Sequence, residues 1–263
     1  MESENNISIE IINAQDKKTP KVIFIVPYRD REQQLSFFQR HMKYILEDKK
    51  DHEIYYSHQC DKRDFNRGGM KNIGFLAIKK KYPEDYKNIT LVFNDVDTMP
   101  YTKDFLNYET KKGIVKHFYG FEYTLGGIVS INAEDFENIN GFPNFWAWGY
   151  EDNLFQIRVE NIGIKIDRSN YYPIADKNIL QCADGLVRTV NRGEYEAFQK
   201  ETKDGINGII NLEYTIDKKN FINITNFDTV IKQDKSKDKQ HDLRKGNNVF
   251  QGRPGNRMNM VLM

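Results

Sequence analysis

Strand-like and helix-like segments alternate over the first hundred residues, and this alternation constrains the fold more than any other feature. Residues 22–26 form a continuous run of β-branched and aromatic side chains, which is typical of a strand buried on both faces. Pro27 is predicted to end this strand. Apolar side chains then recur at helical spacing between Arg31 and Glu47, which indicates an amphipathic helix. A strand, a helix and a strand are predicted to follow at 53–57, 69–80 and 90–93.

This order predicts an α/β fold with a Rossmann-like, mostly parallel sheet flanked by helices. In such sheets, ligands bind beyond the carboxyl ends of the strands. The second half adds a strand at 128–131, a short helix capped by Asn132, and a helix from about Glu151 to Asn161. From residue 232 the chain turns polar and loses periodicity, which predicts a mostly disordered tail.

Composition and charge exclude several classes of protein. A net charge of +1 gives no electrostatic basis for binding nucleic acid. No segment approaches the roughly 18 apolar residues of a membrane span, and the acidic N-terminus is unlike a signal peptide. The two cysteines form no paired framework, which favours a reducing compartment. We therefore expect a soluble, non-secreted protein of cytoplasmic type.

Two aspartates follow the third predicted strand as Asp95-Val96-Asp97. Side chains two residues apart in extended backbone point the same way, so both carboxylates can face one ligand. Hard oxygen donors of this kind suit Mg²⁺ or Mn²⁺ bridging a diphosphate. Aspartate is also common in turns that follow strands, so a structural role stays open.

Arginines and aromatic residues occupy the other two strand-end loops. Arg29, Arg31 and Arg67 can pair with phosphate oxygens, although single arginines usually belong to a solvated charged surface. Tyr28 and Phe65 lie beside them in sequence. Their rings either sandwich a nucleotide base or close the loop against the sheet.

The segment 139–152 combines tryptophans, glycines and two adjacent acids. Glu151 and Asp152 at a helix start can serve the helix dipole and the free N–H groups. One of them can instead act as a general base on an attacking hydroxyl. Trp146 and Trp148 favour the second interpretation, because a flat apolar ring close to an acid suits the face of a sugar.

Five blocks of sequence resemble the β-1,4-galactosyltransferase family of inverting, nucleotide-sugar-dependent glycosyltransferases. They occur in family order between about residues 22 and 160, and a weaker match at 204–207 extends the resemblance to about residue 215. The five blocks are Ile25–Arg31, Phe65–Phe75, Phe93–Pro100, Gly126–Ser130 and Ile139–Asp152.

The resemblance implies a GT-A type glycosyltransferase fold and transfer of a hexose from a UDP-sugar to a hydroxyl with inversion. It implies Mn²⁺ binding by Asp97, with Asp95 as a second candidate ligand. Glu151 is implied in acceptor binding, and Asp152 as the catalytic base. The residues implied in binding the nucleotide sugar are Pro27, Tyr28, Arg29, Arg31, Phe65, Arg67, Asp95, Val96, Thr124, Gly127 and Trp148.

Departures from the family pattern concern the metal, the donor sugar and the location. Family members usually complete the metal site with a histidine, but none lies between residues 118 and 240 here. Cys182 or Asp184 could take its place, and metal-independent transfer stays open. Thr124 replaces a bulky tyrosine and leaves room for an N-acetyl group, so UDP-GalNAc joins UDP-Gal as a candidate donor. The absence of an N-terminal anchor departs from a Golgi-anchored form.

The predicted organisation is a polar segment at 1–19, a catalytic domain at 20–231 and a polar tail at 232–263. Residues 20–100 form the nucleotide-binding half and residues 101–231 the acceptor half. The acceptor is expected to be a glycan or a glycosylated protein, while no motif indicates which one or the oligomeric state. Deleting the tail is expected to leave transfer intact. The alternative is a degenerate transferase that binds a nucleotide sugar or glycan without turnover.

Overall fold

The computed structural model describes residues 18–183, 185–200 and 203–245. Its α-helices are α1 (Glu32–Ile45), α2 (Arg67–Lys81), α3 (Ala133–Asn138), α4 (Glu151–Asn161) and α5 (Arg192–Lys200). Its strands are β1 (Val22–Tyr28), β2 (His52–Gln59), β3 (Thr90–Asn94), β4 (Thr98–Pro100), β5 (Ile114–Gly120), β6 (Ile128–Asn132), β7 (Lys165–Asp167), β8 (Tyr172–Pro173), β9 (Ile179–Gln181), β10 (Val187–Asn191), β11 (Ile210–Ile216), β12 (Phe221–Asp228) and β13 (Asp238–Asp242). Among these residues, no helix has the length and apolar character that crossing a bilayer requires.

A central sheet carries the strand order β11-β12-β2-β1-β3-β6-β5-β7, with β8 also paired to β5. β1 runs parallel to both β2 and β3, and β12 runs parallel to β2. β6 is antiparallel to both of its neighbours. The predicted α/β fold with a mostly parallel sheet is therefore confirmed.

Alternate residues of β1 enter two different cores, one on each face of the sheet. Ile23 and Ile25 pack into the cluster that includes Ile73 and Phe75 of α2. On the opposite face, Phe24 packs in the cluster that receives α1. Burial on both faces explains the unbroken apolar run that marks this strand in the sequence.

The prediction that Pro27 ends β1 is wrong, because the strand continues to Tyr28. Pro27 pairs in register with Ser57 of β2, whereas the pairing with β3 stops at Ile25. The strand is thus paired on one side alone at Pro27, a position where a residue without an N–H group is tolerated.

The prediction of a disordered tail is wrong for residues 238–242, which form β13. β13 pairs antiparallel with β10. The side-chain amide of Asn191 donates to the Asp234 carbonyl and to Asp238 Oδ1, both at 2.7 Å. Polar composition does not exclude a strand that is paired along its length. Residues 246–263 of the predicted tail and 1–17 of the predicted N-terminal segment lie outside the described residues.

Candidate functional site

A pocket opens at the carboxyl edge of the sheet, where β1, β3 and the start of α2 meet. Every residue that lines it belongs to the set predicted from sequence to bind the nucleotide sugar or the metal. The lining residues are Pro27, Arg29, Arg31, Phe65, Arg67, Asp95, Val96 and Asp97. The parallel sheet explains this convergence, since the carboxyl ends of neighbouring strands share one edge.

The N-terminus of α2 lies at this pocket, which Arg67 lines. Asn66 caps the helix, because its side-chain oxygen accepts a hydrogen bond from the Gly69 N–H at 2.7 Å. A Cβ added at Gly68 would lie 1.9 Å from the Pro143 carbonyl oxygen. Glycine at position 68 therefore lets α2 begin close against the backbone at Pro143. The free N–H groups and positive dipole of a helix N-terminus favour anions such as phosphate.

Arginines and carboxylates form ion pairs around the pocket. Arg31 Nη1 lies 2.9 Å from Asp97 Oδ2. Arg67 Nε lies 3.9 Å from Asp95 Oδ1, and Arg67 Nη1 lies 3.8 Å from Glu151 Oε1. Although burial alone would lower the pKa of Arg67, the charges of Asp95 and Glu151 raise it. Arg67 is therefore a fixed cation between the pocket and the start of α4.

Two guanidinium groups lie close to the Phe65 ring. The guanidinium carbons of Arg29 and Arg67 are 5.5 and 5.8 Å from the ring centroid, within cation–π range. Arg29 also donates to the backbone carbonyl of Arg63. These contacts hold an aromatic face at the pocket, where a base ring can stack.

Asp95 and Asp97 are held by the turn that links β3 to β4. The Asp95 N–H donates to the Gly127 carbonyl at 3.2 Å, and Thr98 Oγ1 donates to Asp97 Oδ1 at 3.0 Å. Burial and the charge of Asp95 raise the pKa of Asp97, while Arg67 and Arg31 oppose that shift. A cation placed at Asp97 would favour its ionised form.

The donor chemistry of these aspartates fits a hard divalent cation. One or two carboxylates together with substrate phosphates commonly hold such an ion. Among residues 18–183, 185–200 and 203–245, no three His, Cys, Asp or Glu side chains group into a complete metal site. The Cys182 N–H donates to the Asp97 carbonyl at 2.7 Å, so the end of β9 runs beside the metal candidate. Asp184 lies outside the described residues.

Glu151 and Asp152 begin α4, after Gly149 and Tyr150 with positive φ of 97° and 70°. Burial and the adjacent Asp152 raise the pKa of Glu151 to about 7. Its Oε2 atom has no hydrogen-bond partner among the described residues. Asp152 Oδ1 lies 3.0 Å from the buried ammonium group of Lys71. Both acids are therefore fixed within the fold, and one retains a free acceptor oxygen.

The two tryptophans of this segment have different surroundings. Trp146 is 4% exposed, stacks on Phe227 and donates through Nε1 to Thr229 Oγ1 at 3.1 Å. The interpretation that Trp146 meets a sugar is wrong, since its ring lies in the core. Trp148 is only partly buried, and its ring lies 5.9 Å from the Arg188 guanidinium carbon.

Tyr28 and Thr124, two residues implied in donor binding, lie outside the pocket lining. The Tyr28 ring packs against His58 and Phe221 at centroid distances of 5.2 and 6.0 Å. Of its two sequence interpretations, packing against the sheet is the one observed. Thr124 is buried, and its Oγ1 donates to the Phe121 carbonyl at 3.3 Å.

Sequence reasoning missed Lys71 and Glu194, which contact the segment 139–152 directly. Lys71 lies four residues after Arg67 on α2, so the two side chains share a helix face, and this spacing was the available signal. Glu194 Oε1 and Oε2 accept hydrogen bonds from the N–H groups of Trp146 and Ala147 at 2.7 and 2.8 Å. No local sequence pattern indicates the contact of Glu194 with Trp146 and Ala147.

Known families match the segments that build this site. A family profile described as the N-terminal region of glycosyl transferase group 7 matches residues 12–110. A second, described as the N-terminal domain of galactosyltransferase, matches residues 114–178. The chain belongs to the β-1,4-galactosyltransferase family. The resemblance noted in the sequence is thereby confirmed.

Two relatives illustrate the relationship. The chain is 27% identical to a Caenorhabditis elegans xylosylprotein 4-beta-galactosyltransferase over 220 residues, which cover 78% of this chain and 74% of the relative. It is 32% identical to human beta-1,4-galactosyltransferase 5 over 218 residues, covering 78% of this chain and 53% of the relative. The chain thus spans about half the length of this human relative.

A solved structure shares the fold. The Drosophila beta-1,4-galactosyltransferase 7 complex with manganese, UDP-Gal and xylobiose superposes with a TM-score of 0.61 at 22% identity. The match covers 79% of this chain and 94% of that one. The predicted GT-A type fold is confirmed by this similarity.

Proposed function

We propose that this family member transfers galactose from UDP-galactose to a hydroxyl of a glycan with inversion, by a single displacement. The observation that carries the proposal is the geometry of Arg67. Its guanidinium lies near Asp95 in the pocket and near Glu151 at the start of α4. The arginine-lined pocket is thus adjacent to the buried Glu151 and the partly exposed Asp152, as a donor site and an acceptor site must be.

The donor binds in the arginine-lined pocket. Arg31, Arg67 and the N-terminus of α2 face the diphosphate and offset the charge that develops on the leaving UDP. Phe65 stacks on the base, and Pro27, Arg29 and Val96 complete the walls. Trp148 contacts the sugar, while Tyr28 acts by supporting the loop from beneath.

The acceptor is bound and activated by the two acids of α4. Glu151 accepts a hydrogen bond from the acceptor through its free Oε2 atom. The Asp152 carboxylate removes the proton of the attacking hydroxyl. The bond from the anomeric carbon to phosphate breaks as the new glycosidic bond forms, and its electron pair leaves with UDP.

Asp97, assisted by Asp95, would hold Mn²⁺ together with the donor phosphates. The ion would supply Lewis-acid stabilisation of the leaving phosphate. Relatives support this assignment, because the Drosophila structure contains manganese and UDP-Gal. The chain's own hard oxygen donors agree with that ion.

The finer donor preference rests on the segment around Thr124 and Gly127. Gly127 adopts φ of 69°, and an added Cβ there would lie 2.4 Å from the Tyr119 carbonyl oxygen. Thr124 is smaller than the tyrosine of the family pattern, so UDP-GalNAc is proposed as a second donor. The glycan acceptors to be compared include xylobiose, the sugar named in the Drosophila complex.

The test measures UDP release from UDP-Gal and UDP-GalNAc with glycan acceptors, with and without Mn²⁺. Asp152→Asn is expected to fold and bind UDP but to lose at least ~10²-fold in kcat, the usual contribution of a general base. Asp167→Asn, on β7, is the matched control and should keep wild-type turnover.

Full turnover by Asp152→Asn would remove Asp152 from the role of base. UDP binding by the wild type without transfer from any donor would support the alternative of a degenerate, binding-only protein. That alternative is motivated by the incomplete metal cluster among the described residues.

A further inference from the structure

Lys71 is a buried cation in direct contact with the proposed base. Its side chain is 3% exposed, and its Nζ atom lies 3.0 Å from Asp152 Oδ1. The same ammonium group lies 4.2 Å from the centroid of the Phe142 ring. A buried ammonium without a counter-charge is costly, so its position depends on that carboxylate.

Helix α2 brings two cations to one cluster of acids. Arg67 and Lys71 are four residues apart and lie on the same face. The charged groups that act on Asp152 are Lys71 and Arg67 from α2, Asp95 from the end of β3, and the adjacent Glu151. Of these, Lys71 is the group hydrogen-bonded to the Asp152 carboxylate.

The opposite side of the Asp152 carboxylate faces a glycine. A Cβ added at Gly126 would lie 2.2 Å from Asp152 Oδ2. The Leu125 N–H donates to the Asp152 carbonyl at 3.2 Å, so the backbone of this turn is joined to the first residues of α4. The carboxylate therefore lies between the Lys71 ammonium group and the Gly126 backbone.

We infer that Lys71 is a positioning residue that keeps Asp152 ionised and fixes one of its oxygens, leaving the other to accept the acceptor's proton. The inference rests on the proposed transfer reaction. A general base must be unprotonated when the acceptor binds. Burial works against this by raising the pKa of Asp152, and Lys71 opposes that effect.

The reaction balances with Lys71 unchanged. The acceptor O–H bond breaks and its proton passes to the Asp152 carboxylate, while the acceptor oxygen bonds to the anomeric carbon. The donor's glycosyl–phosphate bond breaks and its electron pair leaves on UDP. Lys71 keeps its own proton throughout and forms no bond to the sugar, so it acts through Asp152.

The test is the pH profile of Lys71→Met, which keeps much of the side-chain length and removes the charge. An opposite charge at this range lowers a carboxyl pKa by roughly one to three units. The acidic limb of kcat/KM is therefore expected to move at least about one unit to higher pH, with turnover recovering above the new limb. Lys71→Arg should retain the wild-type limb. Lys80→Met, at an exposed position on the same helix, is the matched control.

An unchanged limb in an active Lys71→Met enzyme would overturn the inference. An equal loss at every pH would also overturn it, since that result indicates a purely structural role.

Folding of the variants gives an independent measurement. Lys71→Met leaves the partly exposed Asp152 carboxylate without its partner, and Asp152→Asn leaves the buried Lys71 ammonium group without its partner. Each variant alone should therefore lower Tm, Asp152→Asn more than Lys71→Met. The double variant removes both charges and should recover most of that loss. A double variant no more stable than Lys71→Met would contradict the pairing. These Tm values are readable even if the wild type transfers no sugar, so failure of the proposed function is distinguishable from failure of this inference.

Discussion

The proposed nucleotide side and the proposed acceptor side of the site are held together in different ways. All eight residues lining the pocket belong to the stretch 27–97, and short loops after neighbouring strands bring them together. The acceptor side, residues 145–152, depends on contacts from far along the chain. The residues that line the pocket thus come from one stretch of the sequence, whereas residues 145–152 are held by contacts from residues 191–238.

Three layers of contact support the acceptor side. Glu194 of α5 accepts from the backbone N–H groups of Trp146 and Ala147. Asn191 Oδ1 in turn accepts from the Glu194 N–H at 2.9 Å, while its amide contacts Asp234 and Asp238. The predicted dispensable tail therefore connects to the catalytic segment through two side chains.

Arg67→Met should have the largest effect, because Arg67 contacts both sides. Its loss leaves the buried Glu151 and the partly exposed Asp95 without their shared cation, and breaking a fully buried pair costs about 3–5 kcal/mol, which is the upper bound here. We expect weaker UDP binding by calorimetry and a lower free energy of unfolding in urea. The exposed Arg40→Met on α1 is the control. If Arg67→Met lost turnover but bound UDP normally, the two sides would be less coupled than the contacts indicate.

Glu194→Ala should weaken the acceptor side and leave the nucleotide side unchanged. Two buried N–H groups lose their acceptor, at about 1–3 kcal/mol each. We expect lower stability and a fall in kcat, with the Kd for UDP within about twofold of wild type because the pocket contacts are local. The exposed Glu196→Ala, on the same helix, serves as the reference. A large loss of UDP affinity would show that the pocket also depends on α5.

Arg31→Met should weaken the nucleotide side and have less effect on the rest of the fold. A hydrogen bond to a charged group contributes about 1.5–3 kcal/mol, so UDP affinity should fall roughly tenfold or more. The Arg31 and Asp97 side chains are 22% and 17% exposed, whereas Arg67 pairs with the 5% exposed Glu151 as well as with Asp95, so Tm should fall less than in Arg67→Met. Calorimetry with UDP and a thermal melt measure the two quantities. An unchanged Kd for UDP would place the diphosphate away from Arg31.

The smallest expected effect is a dependence of the free energy of unfolding on pH. Burial raises the pKa of Glu194 from 4.5 to about 7, despite the two N–H donors. Glu194 therefore loses its proton at a lower pH in the unfolded chain than in the folded protein. The stability that protonated Glu194 contributes below pH 4.5 is lost as pH rises through about 7. Between pH 5 and 6 the free energy of unfolding should fall by about 1 kcal/mol from this group. Glu194→Gln should flatten that slope in urea titrations, and an unaltered slope would show that Glu194 is not its source.

Sequence patterns predicted the features that depend on residues close together in the chain. Helix α4 begins at Glu151 and ends at Asn161, as predicted from the sequence, and Asn132 caps α3 through its side chain. Six of the eight lining residues were predicted from their places after buried strands or at a helix start, whereas Pro27 and Val96 were implied by the family resemblance. For the helix boundaries, the determining residues lie within a few positions of one another.

The features that the sequence did not reveal depend on contacts between distant residues. β13 gains its strand geometry from β10, and Trp146 is buried by Phe227, Thr229 and Ile231. Lys71 became significant only when folding placed Asp152 beside it. Periodicity and composition describe neighbours along the chain, so they carry no information about these pairings.

The pairing of β10 with β13 also sets an order of events during synthesis. A ribosome makes β10 and α5 well before β13, so β10 emerges while its partner is still untranslated. The residues that line the arginine pocket are all made by position 97, and the Gly127 and Glu151 that contact Asp95 and Arg67 are also made before β13. The support that β13 gives to Asn191, and through it to Glu194, is therefore added after the pocket residues have been made.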